Sequence, residues 1–94
     1  MKHYALLKLN PQADPLAVHE KLWKGFNKLD QAADWLNHPV IIRGCCPDDD
    51  FDMMVSVELD TEERLPEYLS HPITQKLEEK VRDAIASKMT FNHY

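Results

Sequence analysis

The chain has 94 residues, of which 44% are hydrophobic, 29% are charged and only two are glycine. It is therefore a single domain, residues 1–94, and a globular one, not a disordered or fibrous chain. Eleven Lys and Arg against sixteen Asp and Glu leave a net charge of −5, which argues against nucleic acid or an anionic membrane as partner, because phosphates require a basic surface. No apolar run approaches the ~20 residues of a membrane span. The apolar stretch of the opening Met-Lys-His-Tyr-Ala-Leu-Leu-Lys is too short for a signal peptide. Adjacent Cys45 and Cys46 are not a disulfide framework, so a reducing cytoplasmic setting is expected.

Residues 2–9 predict a strand closed by Asn10-Pro11. Asp14 is placed to cap a helix with Pro15 at its first position, where a missing N–H costs nothing. That helix is expected from Pro15 to about Ala32, with Val18, Leu22, Phe26, Leu29 and Ala33 as its apolar stripe. Residues 34–39 are expected as a connection. Residues 40–46 are read as a β-branched strand, followed by a turn at Pro47-Asp48-Asp49-Asp50.

Residues 51–59 alternate as a strand. Phe51, Met53, Val55, Val57 and Leu59 point one way, and Asp52, Met54, Ser56 and Glu58 the other. Asp60 with Glu63 is compatible with a capping box. Because of Pro66, an irregular turn and a short helix through Ser70 are expected. A further helix starts at Pro72, with Ile73, Leu77, Val81 and Ile85 as its stripe and Glu78 and Arg82 as an i,i+4 ion pair. The last strand is expected from Lys88 to about His93, with Met89, Phe91 and His93 on one face.

The order β-α-β-β-α-β is that of an α+β, ferredoxin-like fold, with a four-stranded antiparallel sheet and its helices on one face. The sheet is apolar on its second face too, where Tyr4, Leu6, Ile41 and Met54 are expected to form a patch that the helices leave uncovered. The chain has no spare element to cover it. A second copy, packed sheet to sheet about a two-fold axis, closes a barrel-like core. A homodimer is therefore expected, the alternative being a monomer with a few exposed apolar residues.

The opening Met-Lys-His-Tyr-Ala-Leu-Leu-Lys-Leu resembles the first strand of the stress-responsive α/β-barrel (Dabb) domains. Tyr68-Leu69-Ser70-His71-Pro72 is similar to that family's Tyr-x-x-His-Pro motif, and the ending Phe91-Asn92-His93-Tyr94 to its closing strand. The resemblance spans nearly the whole chain and implies a ferredoxin-like protomer in a dimeric α/β barrel, with a stress-related role. The family contains a plant polyketide cyclase with a cavity between sheet and helices. Its motif Tyr matches Tyr68 and its first-strand His matches His3, but two of its histidines fall on Thr74 and Met53. Neither threonine nor methionine titrates near neutrality, so the proton-transfer chemistry is not expected to carry over; the cavity is.

The resemblance suggests His3, Tyr68 and His71 as catalytic candidates. His3 either meets a small carbonyl ligand or is a buried histidine bonded to a neighbour such as Tyr68. Tyr68 either orients a ligand or is core with a satisfied hydroxyl. His71, held extended by Pro72, suits a helix cap. Ala5, Leu22, Phe26, Met53, Val55, Tyr68, Thr74, Met89 and Phe91 are expected to line the sheet–helix layer, as a ligand pocket or as simple core. His19-Glu20 has Trp23 where a zinc protease needs a second His. Cys45 and Cys46, placed on opposite faces of a strand, would not share a metal. Asp48-Asp49-Asp50 is read as a solvated turn, and lone Gly25 and Gly44 make no phosphate loop. No metal and no cofactor is expected.

Three functions remain open: a dimer binding a small apolar or aromatic molecule, a cofactor-free enzyme (cyclase-like or monooxygenase-like) using Tyr68 and His3, and a structural interaction module with a filled core. A cavity of roughly a few hundred Å³ reaching His3 and Tyr68 separates the first two from the third.

Overall fold

The computed structural model describes all 94 residues. Strand β1 (Lys2–Leu9) leads through a turn to helix α1 (Pro15–Ala32), followed by strands β2 (Leu36–Arg43) and β3 (Met53–Leu59). Helices α2 (Arg64–Ser70) and α3 (Pro72–Val81) follow, then a 3₁₀ turn over Arg82–Ala84 and strand β4 (Ile85–His93). The sheet is antiparallel in the order β2-β3-β1-β4, the ferredoxin-like arrangement.

Local chemistry sets the helix boundaries. The Asp14 carboxylate accepts the Leu16 N–H at 3.0 Å, and Pro15 opens α1, which satisfies one of the orphan donors of the first turn. The expected stripe of Val18, Leu22, Phe26 and Leu29 is buried, with Ala33 just past the end. Pro66 lies in the first turn of α2, where it removes no helical hydrogen bond. The expected capping box does not form. Glu63 stands at the α2 N-cap without a side-chain capping bond, and Asp60 instead accepts from the Asn37 amide at 3.0 Å. His71 is extended (φ −60°, ψ 137°), ends α2 and caps α3, its Nδ1 accepting the Ile73 N–H at 3.1 Å.

Two one-residue bulges decide which side chains face the helices, and they correct several expectations. In β2, Asn37 pairs with Glu58 but Val40 pairs with Ser56, so three steps on one strand oppose two on the other. The extra residue lies at His38-Pro39, where His38 has φ 49° and Pro39 cannot donate to the ladder. The strand thus starts at Leu36, inside the stretch expected as a connection, and its facing parity reverses after the bulge. Ile41 pairs with Val55 and packs against the core, whereas Val40 and Ile42 are exposed. Ile41 therefore does not belong to the open face.

The second bulge separates Leu9↔Ile85 from Lys8↔Ser87. Ile85 packs on the core, so unbroken alternation would carry Met89 and Phe91 inward with it. The added residue turns them outward, opposite Leu6 and Tyr4, and both are largely exposed, at 59% and 64%. Met89 and Phe91 do not line the sheet–helix layer. Ile85, expected on the α3 stripe, instead begins β4. Cys45 and Cys46 lie beyond the end of β2 in the loop to β3, not on a strand.

The core between sheet and helices is built on Leu29, Leu36, Val57 and Leu59, all fully buried. Burial of each such side chain contributes roughly 1.5–3 kcal/mol. Gly25 lets α1 and α3 approach closely: a Cβ there would stand 2.7 Å from both methyls of Leu77.

Candidate functional site: the sheet–helix cavity

One small cavity opens between the sheet and the helices. Its floor is Ala5, Leu7 and Val55; Leu22 and Phe26 of α1 form one wall, and Tyr68 with Thr74, Leu77 and Val81 the other. Ile85, Glu78 and Lys88 complete the lining. Ala5 is the small residue in the floor, and its lack of bulk leaves the space. The volume is about 70 Å³. At ~30 Å³ per water in the liquid, that is room for two or three waters or a comparably small organic fragment. It falls short of the expected cavity of roughly a few hundred Å³: it reaches Tyr68 but not His3, which is absent from its lining, and it is too small to enclose an aromatic ligand.

Thr74 sets the polarity. It is 4% exposed, and its hydroxyl has no hydrogen-bond partner. An unpaired buried hydroxyl costs about 1–3 kcal/mol, and here it belongs to a residue lining the cavity. Tyr68 is also buried, edge-on to the His3 ring at 5.5 Å and tilted against Phe26 at 6.5 Å. Burial, and secondarily the charge of Glu78, push its hydroxyl well above the usual phenol range. Tyr68 is therefore a neutral hydrogen-bonding group and not a base at physiological pH. At the rim, Glu78 pairs with Lys88 of β4 at 3.8 Å, not with Arg82 as expected.

Of the expected lining residues, Ala5, Leu22, Phe26, Val55, Tyr68 and Thr74 come together. Met53 is buried core beside the cavity and not part of its lining. His3 stands behind Tyr68, its Nδ1 2.6 Å from Asn92 Oδ1 on the neighbouring strand, so its partner is Asn92 and not the Tyr68 hydroxyl. His71 is engaged as a helix cap. Sequence reasoning missed Glu78 and Lys88. The i,i+4 spacing from Thr74 to Glu78 places both on one helix face, whereas the orientation of Lys88 depends on the β4 bulge.

On the opposite side of the sheet, Ile42, Met54, Leu6 and Met89 stand level with one another, one from each strand. Val40, Ser56, Tyr4 and Phe91 form the adjacent row. Tyr4 stacks on His93, ring centroids 5.4 Å apart, with its hydroxyl 3.0 Å from Nε2. Of the residues expected here, Tyr4, Leu6 and Met54 are on this face and Ile41 is not.

An α+β ferredoxin-like protomer, with a cavity under its helices and an apolar second face, defines the class. The sequence matches the description Stress responsive A/B Barrel Domain (Dabb) over residues 1–93. The chain belongs to the Dabb family. No curated protein matches it in sequence. Among solved structures it is similar to a dimeric ferredoxin-like protein of unknown function from Bacteroides fragilis. That match has a TM-score of 0.85 and 16% identity, over 98% of this chain and 92% of that one. A dimeric ferredoxin-like protein from Thermobifida fusca matches at TM-score 0.78 and 22% identity, over 96% and 85%. Hydroxynitrile lyase from Passiflora edulis matches at TM-score 0.78 and 10% identity, over 98% and 89%. No helix of the chain is long and apolar enough to cross a membrane.

Proposed function

We propose that this protein is a homodimer that holds a small molecule, apolar at one end and hydrogen-bonding at the other, between its sheet and its helices. The observation that carries the reading is the unpaired buried hydroxyl of Thr74, a residue that lines an otherwise mostly apolar cavity. A ligand carbonyl or hydroxyl reaching it removes the cost of leaving it bare, while Phe26, Leu22 and Val55 receive the apolar end. The cavity volume of about 70 Å³ selects ligands of a few non-hydrogen atoms. An aromatic molecule would need the Glu78–Lys88 rim to part. The dimer rests on the apolar row of Ile42, Met54, Leu6 and Met89 on the open face, with Val40, Tyr4 and Phe91 beside it, and on the likeness to the dimeric proteins from B. fragilis and T. fusca. Two free, exposed thiols fit a reducing cytoplasm.

Titration of the ¹⁵N-labelled protein with short-chain alcohols, aldehydes and ketones tests the binding reading. Saturable shifts at Ala5, Tyr68 and Thr74, weakened in Thr74→Val, are expected. Shifts only at the surface would leave the structural module with a filled core.

A second reading has its own support. Glu78 and Tyr68 line the same cavity, a carboxylate and a neutral phenol, which together can take up and deliver a proton without a cofactor. The Passiflora relative carries an enzyme name on this fold. Proton exchange at the carbon beside the carbonyl of a bound ketone, present in the wild type and absent in Glu78→Gln, would favour catalysis over binding alone.

A further inference from the structure

Cys45 and Cys46 are both free and exposed, in the loop between β2 and β3, away from the sheet–helix cavity. Their side chains turn toward each other, with the two Sγ atoms 3.8 Å apart. The backbone on either side is fastened. The Gly44 N–H donates to Asp52 O at 2.7 Å, Pro47 follows the pair directly, and the Asp49 N–H donates to Cys46 O at 3.2 Å. Asp52 is itself tied to β1, accepting the Leu9 N–H at 2.8 Å. The pair borders an open hollow of about 290 Å³ walled by Pro15, Arg43 and Asp52.

We infer that Cys45 and Cys46 form a chelating dithiol site for a trivalent, thiophilic metalloid centre of the arsenite or organoarsenous class. The separation carries the argument. With sulfur bonds of about 2.3 Å, the length of a zinc–thiolate bond, one bridging atom across 3.8 Å closes an S–M–S angle of about 110°. That angle is bent, which excludes a linear two-coordinate ion. A tetrahedral zinc site needs further protein ligands, and no three His, Cys, Asp or Glu side chains stand together to supply them. A pyramidal three-coordinate centre needs only two thiolates and carries its third substituent itself. A direct disulfide fits less well. Adjacent Cα atoms are ~3.8 Å apart, below the ~4.4–6.8 Å that an unstrained bridge spans. An interposed atom relieves that mismatch.

The reaction is an exchange without redox change. Two As–S bonds form, two As–O bonds of the hydrated arsenical break, and the two thiol protons leave with those oxygens as two molecules of water. Once one thiolate has bound, the second attack is intramolecular, at an effective concentration in the millimolar range or above.

The reduced full-length protein is titrated with phenylarsine oxide and followed by intact mass and free-thiol count. One arsenical per chain, with both thiols consumed together, is expected. A dithiol competitor should strip it, while a monothiol at equal concentration should not. Cys45→Ser and Cys46→Ser replace exposed loop residues and are checked for fold by circular dichroism. Each should bind about 100-fold more weakly. Wild-type binding no tighter than either variant, or binding that leaves one thiol free, overturns the proposal. Zinc binding as tightly as the arsenical overturns the choice of a pyramidal centre.

Discussion

Leu6 and Met89 stand opposite each other on β1 and β4, on the side of the sheet that no helix covers. The same register level continues to Met54 and Ile42, so an apolar row crosses all four strands. Met89 is 59% exposed in the protomer, and replacing it removes little from the protomer's own core. Met89→Glu is therefore expected to leave the circular dichroism spectrum unchanged but to shift sedimentation toward single chains. Met54→Glu should act in the same direction. A variant that unfolds instead would place Met89 in the core.

Thr74→Val exchanges the unpaired hydroxyl for a methyl of the same shape. Chemical denaturation should show the free protein stabilised by about 1 kcal/mol, since a buried group without a partner is removed. The same variant should bind polar-headed ligands more weakly. Stability and binding thus move in opposite directions at one residue, as expected where a group's unmet bonding capacity serves a ligand. A destabilised Thr74→Val would mean that the hydroxyl is already satisfied.

Gly25 faces Leu77, and a Cβ at that position would lie 2.7 Å from the Leu77 methyls. Gly25→Ala gains about 1 kcal/mol of helix propensity but overpacks a buried contact, which costs about 1–3 kcal/mol. A net loss of about 1 kcal/mol is expected by urea denaturation. A gain would show that α1 and α3 separate easily.

The Tyr68 hydroxyl, with its ionisation raised by burial and then by Glu78, gives an alkaline signature. Below the ordinary phenol pKa of about 10, both folded and unfolded chains hold the proton and the group contributes no pH dependence. Above it, the unfolded chain releases the proton while the folded chain keeps it, so stability falls as pH rises. The slope attributable to this group approaches about 1.4 kcal/mol per pH unit. Comparing Tyr68→Phe with the wild type between pH 9 and 11 isolates that share from the exposed tyrosines and lysines. Identical slopes would contradict the burial assigned to Tyr68.

The element order, the Asp14 cap, the break at His71-Pro72 and the α1 stripe were all legible in the sequence, because each depends on residues within a turn of one another. Two sets of side chains were not. Ile41, Met89 and Phe91 lie downstream of single-residue bulges, and one inserted residue sends every later side chain to the other face. The Pro39 beside the first bulge is a local hint. Ala86 beside the second carries none, since the irregularity there is set by pairing with Lys8 and Leu9 of β1. The partner of Glu78 is hidden for a related reason: its helix face follows from the spacing to Thr74, but its pairing with Lys88 in place of Arg82 depends on where β4 runs.

Sedimentation equilibrium of the wild-type chain, over a concentration series at neutral pH, tests the two-faced sheet most directly. A species of twice the 11.0 kDa chain mass, dissociating in Met89→Glu, is expected. A wild-type species that stays at the mass of one chain at every concentration, with Leu6, Met54 and Met89 facing water, would contradict it.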